Sequence, residues 1–161
     1  MPPESNKLRP LTPQVVGILL SQIIGRTVNT KKIPPYPLTA KSPGVVAAYE
    51  GDNGSLVSVC VCDLPLASYA GAALVLAPVG LAKDAIRSGA CDAVLLENLA
   101  EILNICRQWF QQPGEHIASP KLFPVPGALP ANIAERLVSK SRLDLAVSIP
   151  GYGDGQLSIL T

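Results

Sequence analysis

The sequence predicts an α+β domain in which an antiparallel sheet is packed with helices. Two kinds of pattern support this: apolar residues at helical spacing, and short segments rich in β-branched residues. The two patterns occur in separate blocks: a helix comes first, then a hairpin, then two or three helices, and strands at the end. Such blocks are typical of α+β proteins. A chain of 161 residues is most simply one domain with its own core. We therefore expect a single domain over residues 1–161, with residues 1–10 disordered.

The first element predicted is a helix beginning at Thr12-Pro13. Threonine is a good N-cap and proline is favoured at the first helical position, and apolar residues then recur at helical spacing until Gly25. The segment Pro34-Pro35-Tyr36-Pro37 breaks regular structure and predicts an extended connector. A proline-motif ligand is the alternative interpretation of that segment.

A β-hairpin is predicted next, from two strands over residues 44–50 and 55–62. They are joined by Gly51-Asp52-Asn53-Gly54, a composition that suits a tight turn. In the second strand the valines share one face, and the opposite face carries Cys60 and Cys62. We expect both faces of this strand to be covered.

Three helices are predicted after the hairpin. Asp63 can cap the first, which runs to about Leu76, and residues 81–87 form a short second one. The most regular helix spans residues 92–110. Its apolar stripe comprises Leu95, Leu99, Ile102, Leu103, Cys106, Trp109 and Phe110.

The last third of the chain predicts short strands and turns. Residues 121–125 suit an edge strand because they contain a proline, and residues 131–139 suit a short helix. Residues 142–149 and 156–160 alternate like strands around Gly151-Tyr152-Gly153-Asp154-Gly155, which predicts a second hairpin.

Composition excludes several function classes. The formal net charge is +1 and no basic cluster exceeds Lys31-Lys32, which argues against nucleic-acid binding. Residues 64–82 lack charge but contain prolines and glycines, and therefore predict a buried helix rather than a membrane span. The N-terminus does not resemble a signal peptide, so we expect a cytoplasmic protein.

The cysteines predict buried, reduced thiols rather than a metal site. Cytoplasmic cysteines are usually reduced. Zinc sites usually need closely spaced cysteine pairs with further cysteine or histidine ligands, and the only histidine is His116. We expect His116 to be an exposed loop residue and no metal to bind.

One face of the helix over residues 92–110 carries polar groups that suit a partner. Glu97, Glu101, Asn104 and Gln108 fall within about 60° of one another at 100° per residue. Asparagine is a poor helix former, and two glutamates one turn apart repel each other. The alternative is an ordinary solvated face.

The segment from Glu97 to Asn104 resembles the signature helix of the CheC/CheX/FliY phosphatases of bacterial chemotaxis. In that family a Glu is followed three residues later by an Asn, with a proline some twenty residues beyond; Glu101, Asn104 and Pro126 match these positions. The order of elements matches over nearly the whole chain and resembles CheX, which carries one motif. Two features depart: Glu97 stands where the family favours Asp or Ser, and bulky residues such as Arg107 follow the Asn where the family has small ones.

The resemblance implies a CheX-like/CheC-like antiparallel sheet packed with helices and a phosphatase for the aspartyl phosphate of a response regulator. Asn104 would orient the attacking water, and Glu101 would pair with the regulator's active-site lysine. Glu97, Gln108 and Arg107 would contact the partner, a phosphorylated receiver domain.

The resemblance also implies that the regulator supplies its own Mg²⁺, that this chain holds no cofactor, and that it forms a homodimer. The alternative is a non-catalytic adaptor that binds a response regulator or a flagellar-switch protein.

Overall fold

The computed structural model describes residues 10–161 and contains a six-stranded antiparallel sheet. The strand order is β1-β5-β6-β3-β2-β4. The strands are β1 (Asn29–Lys32), β2 (Gly44–Glu50), β3 (Leu56–Asp63), β4 (Lys121–Val125), β5 (Arg142–Ile149) and β6 (Gly153–Leu160). The helices are α1 (Pro13–Ile24), α2 (Leu64–Leu74), α3 (Val79–Ser88), α4 (Ala93–Cys106) and α5 (Ala131–Arg136). The predicted α+β class is confirmed, and the expectation for residues 1–9 lies outside the described residues.

Helix α1 begins and ends at the residues that its local signals predict. The hydroxyl of Thr12 accepts a hydrogen bond from the Val15 amide at 3.2 Å. Gly25 ends the helix in the left-handed region with φ 79°, where a side chain would be strained. Both predictions are confirmed because capping depends on only a few neighbouring residues.

The first hairpin is confirmed, and it forms the centre of the sheet. Strands β2 and β3 pair in antiparallel register from Gly44–Asp63 to Glu50–Leu56. Cys60 and Cys62 belong to the core on one side of the sheet, whereas Val59 and Val61 belong to the core on the other. Both faces of β3 are therefore covered, as its alternation predicts.

Strand β1 was missed by the sequence analysis. Its four residues, Asn29-Thr30-Lys31-Lys32, are polar and show no apolar alternation, yet they pair antiparallel with β5. Its backbone pairs with β5, and the Thr30 hydroxyl donates a hydrogen bond to the Pro13 carbonyl of α1 at 2.6 Å; neither interaction leaves a hydrophobic pattern in the sequence. Edge strands are commonly rich in lysine, which discourages further pairing.

The sheet separates two layers. Helices α1, α2 and α4 pack on one face, while Tyr36 and Leu38 of the extended connector and Ile133 of α5 pack on the other. The connector is held through Arg142, which pairs with the buried Asp144 at 2.6 Å and donates a hydrogen bond to the Tyr36 carbonyl at 2.9 Å. A buried ion pair with further hydrogen bonds fixes the path of the connector.

The second hairpin has a shorter turn than its glycines predict. Strand β6 begins at Gly153, so Gly153 and Gly155 are strand residues rather than turn residues. A Cβ at Gly153 would lie 2.6 Å from the Tyr69 ring, and one at Gly155 would lie 2.5 Å from Leu66. These glycines therefore allow α2 to approach the sheet closely.

Among residues 10–161, no helix is both long and apolar enough to cross a membrane. The uncharged stretch over residues 64–82 instead forms α2, most of whose residues are buried, and the start of α3. His116 lies in the loop before β4, largely exposed and 2.9 Å from the carboxylate of Asp52. The prediction of an exposed loop histidine is confirmed.

Candidate functional site

Helix α4, which carries the candidate residues, is fixed at both ends. At its start, the Asp92 carboxylate accepts a hydrogen bond from the Leu95 amide at 2.8 Å. The regular helix stops at Cys106, four residues before the predicted end, and continues as a 3₁₀ turn over Arg107–Trp109. A tighter turn at a helix end is common because it satisfies free carbonyl groups.

The end of α4 is anchored to the sheet by aromatic residues. Trp109 and Phe110 are buried, and the rings of Phe110 and Tyr49 lie 4.8 Å apart. The Tyr49 hydroxyl donates a hydrogen bond to the Leu103 carbonyl at 2.6 Å. Burial raises the pKa of Tyr49, so its hydroxyl remains a proton donor. Both residues belong to the predicted apolar stripe, and their burial confirms that part of the prediction.

The side of α4 that turns toward solvent is set by its contact with α2. A Cβ on Gly71 would lie 2.5 Å from the Leu95 carbonyl oxygen, so only glycine permits this approach. The amide group of Asn98 donates a hydrogen bond to the Gly71 carbonyl at 2.9 Å. This backbone contact and hydrogen bond fix the rotation of α4 about its own axis.

With that rotation, three of the four residues of the predicted face are exposed. Glu97, Glu101 and Gln108 all project into solvent. Within residues 10–161, neither glutamate has an ion-pair partner. Two carboxylates one helical turn apart repel each other slightly, and the described residues supply no cation to offset this.

Asn104 is half-buried, and its side-chain oxygen is fully buried without a hydrogen-bond partner among the described residues. It lies one turn from Glu101 along the same helix. A buried polar atom without a partner costs free energy of about 1–3 kcal/mol. The amide oxygen of Asn104 therefore has unused hydrogen-bonding capacity, but this atom is out of contact with solvent.

Arg107 and Gln108 have local partners. The guanidinium of the half-buried Arg107 donates a hydrogen bond to the Ile117 carbonyl at 3.3 Å, which ties the end of α4 to the loop before β4. The amide group of Gln108 donates to the Ile105 carbonyl at 3.2 Å. Gln108 lies near Glu101 on the face, whereas Arg107 is turned about 120° away from Glu101 on the helical wheel.

Two exposed apolar residues on this face were missed by the sequence analysis. Val94 is 64% exposed and Ile105 is 44% exposed. At 100° per residue they lie about 20° and 40° from Glu101 on the helical wheel. The same spacing argument that selected the polar residues could have found them, but it was applied only to polar side chains.

The cysteines are free thiols, with Cys60, Cys62 and Cys106 buried and Cys91 half-buried. The prediction of buried thiols is thus confirmed for three of the four. Burial raises the pKa of Cys106, and it raises the pKa of Cys91 to about 11, so both remain protonated at neutral pH. Within the described part of the chain, no three His, Cys, Asp or Glu side chains are grouped as metal ligands would be.

No protein-family model and no curated protein matches the sequence. Among solved structures, a chain of the FliM–SpeE complex from H. pylori is similar, with a TM-score of 0.62 and 12% identity over 92% of this chain and 80% of that one. The FliM middle domain from H. pylori has a TM-score of 0.57 and 13% identity, over 92% and 83% of the two chains. The chemotaxis protein CheX from Vibrio vulnificus is a weaker match, with a TM-score of 0.48 and 14% identity over 97% and 99%.

At these identities the matches describe the fold. The similarity to FliM covers 92% of this chain. The chain therefore has the fold of the FliM middle domain, and its resemblance to the CheC/CheX/FliY family is confirmed at the level of the fold.

Proposed function

We propose that the protein binds the phosphorylated receiver domain of a response regulator through the outward face of α4 and promotes hydrolysis of its aspartyl phosphate. The observation that carries this proposal is that Glu101 is exposed and has no ion-pair partner among residues 10–161. Asn104, with an unsatisfied amide oxygen, lies one turn away from it. The motif resemblance assigns the same two residues to the reaction.

Glu101 anchors the partner in this proposal. Its carboxylate pairs with the active-site lysine of the receiver, and the neighbouring Glu97 adds negative charge that attracts the same cation. An exposed carboxylate contributes little while it remains in water, but the pair strengthens when docking excludes water from it. Binding therefore depends on the charge of Glu101 rather than on its size.

Asn104 orients the water that attacks the phosphoryl group. The amide oxygen accepts a hydrogen bond from the water, which holds the water oxygen in line with the bond that breaks. That bond joins phosphorus to the receiver's aspartate, and its electrons stay on the aspartate carboxylate. The water oxygen bonds to phosphorus, and both protons of the water leave with inorganic phosphate. An amide is suited to this role because it cannot itself become phosphorylated. A Mg²⁺ ion bound by the receiver would stabilise the charge on the phosphoryl oxygens.

The mechanism requires the amide oxygen of Asn104 to face the partner. In the free protein this oxygen is buried. A half-turn of the amide group would exchange its oxygen and nitrogen and point the oxygen outward. We therefore expect docking to select the orientation in which the oxygen points outward.

A non-catalytic adaptor is the second candidate function. It is favoured by the inward position of the Asn104 oxygen and by the similarity to FliM, a protein whose structure was determined in complex with SpeE. In this case the same face of α4 binds a receiver or a flagellar-switch protein without hydrolysis. Under both functions we expect a cytoplasmic protein, since receivers are cytoplasmic, and the homodimer remains a prediction.

The rate of phosphate loss from a phosphorylated receiver separates the two functions. We expect the wild-type protein to accelerate the loss and Asn104→Ala to abolish the acceleration while the dissociation constant stays within about twofold. Gln22→Ala, which removes an exposed amide from α1, is the matched control and should remain active. Binding without any acceleration by the wild-type protein would establish the adaptor, and absence of binding to every receiver of the same cell would refute both the phosphatase and the receiver-binding adaptor.

A further inference from the structure

We propose that Val94 and Ile105 form an apolar edge of the docking face and determine which receiver domain binds. This inference rests on the proposed function, because it assumes that a receiver covers α4. It adds a selection mechanism that the resemblance does not contain: the family has small residues after its asparagine, whereas this chain has Ile105. The residues that carry it are exposed apolar side chains on an otherwise polar face.

The face of α4 has two different edges with Glu101 between them. Val94 and Ile105 lie on one side of Glu101 at about 20° and 40°, while Glu97 and Asn104 lie on the other side at about 40° and 60°. Along the axis, Val94 and Ile105 are about 16 Å apart at 1.5 Å per residue. A partner that fits must place apolar side chains along the first edge and its reacting group beside the second.

Ile105 also affects the central ion pair. It follows Glu101 by four residues, so the two side chains are neighbours on the helix surface. When a partner covers Ile105, water is excluded from one side of the Glu101 carboxylate, and an ion pair is stronger and less screened by salt in such surroundings. An alanine at position 105 would leave a gap through which water reaches the pair.

Charge complementarity indicates what covers this face. Glu97 and Glu101 are exposed without cationic partners among residues 10–161, so the surface is acidic as well as apolar. A second copy would place the same acidic face against its own charges and be repelled. A receiver domain offers the required combination, since its active site contains a lysine and its surrounding surface can supply apolar contacts. Selection among receivers then depends on whether that surface has room for Ile105.

Binding measurements with point variants test the inference. We expect Ile105→Ala to raise the dissociation constant for the preferred receiver about tenfold, and Val94→Ala several-fold, because truncating a well-buried interface residue typically has an effect of this size. We also expect the loss caused by Ile105→Ala to grow as the salt concentration rises, which a change in folding alone would not produce. Thermal melts should show both variants folded, since neither side chain belongs to the buried core.

Val138→Ala is the matched control, because Val138 is 76% exposed and follows α5 on the opposite side of the sheet. It should bind as the wild type does. Wild-type affinity for Ile105→Ala and Val94→Ala, beside weakened binding by Glu101→Gln, would overturn the apolar edge and leave the proposed function intact. Failure of the wild-type protein to bind any receiver would overturn both.

Discussion

Removing the hydroxyl of Tyr49 should destabilise the protein at the end of α4 next to Asn104. The hydroxyl donates a hydrogen bond to the Leu103 carbonyl at 2.6 Å, and Tyr49 is fully buried. Leu103 lies among the last four residues of α4, whose carbonyl groups lack the usual partner within the helix. Tyr49→Phe therefore leaves a buried acceptor unsatisfied while it preserves the ring and its contact with Phe110.

We expect Tyr49→Phe to lower the free energy of unfolding by about 1–3 kcal/mol. For a domain of this size, each kcal/mol corresponds to a fall in melting temperature of about 2–4 °C. Urea unfolding followed by tryptophan fluorescence suits the measurement, because Trp109 is the only tryptophan and its ring lies 6.3 Å from that of Phe110. The signal thus comes from the end of α4.

Tyr152→Phe is the matched control for this experiment. The Tyr152 hydroxyl also donates to a carbonyl, that of Ala77 at 2.8 Å, but both residues are only half-buried. Water can replace the lost hydroxyl there, so the cost should be smaller than for Tyr49→Phe. An unfolding free energy of Tyr49→Phe equal to that of the wild type, or a cost at Tyr152 as large as at Tyr49, would refute this reasoning.

Two further predictions concern the helix contacts. Gly71→Ala should lower the free energy of unfolding by about 1–3 kcal/mol and weaken receiver binding, because its Cβ would meet the Leu95 carbonyl and displace α4. The control is Gly80→Ala, whose Cβ would meet nothing within 4 Å and which should be neutral or stabilising in urea unfolding. Equal losses of unfolding free energy in the two variants would contradict the account. Burial raises the pKa of Asp63, so ionisation of its carboxyl group destabilises the folded protein. This destabilisation is absent well below the unfolded-state pKa and complete above the folded-state pKa. Asp63→Asn keeps the cap on Leu66 and should therefore gain stability relative to the wild type as the pH rises from 4 to 7; a difference that shrinks with rising pH would be contrary to this.

Local signals account for what the sequence predicted well. Thr12 and Gly25 delimit α1 because capping involves adjacent residues, and the period of α4 was enough to place Glu97 and Glu101 on one exposed face. Non-local contacts account for what it missed. Strand β1 depends on its pairing with β5 and on the contact of Thr30 with α1. The half-burial of Asn104 depends on how α4 packs, which no local pattern records.

The central claim is that the acidic face of α4 is the surface that binds a receiver domain. Its most direct test is the dissociation constant for a receiver held in its phosphorylated form, compared between Glu101→Lys and Glu135→Lys. Glu135 is also an exposed carboxylate, on α5 across the sheet. Both variants replace Glu with Lys and therefore change the net charge by the same amount. We predict that Glu101→Lys abolishes binding and that Glu135→Lys retains it within about twofold. Equal loss in both variants, or retained binding by Glu101→Lys, would contradict the claim.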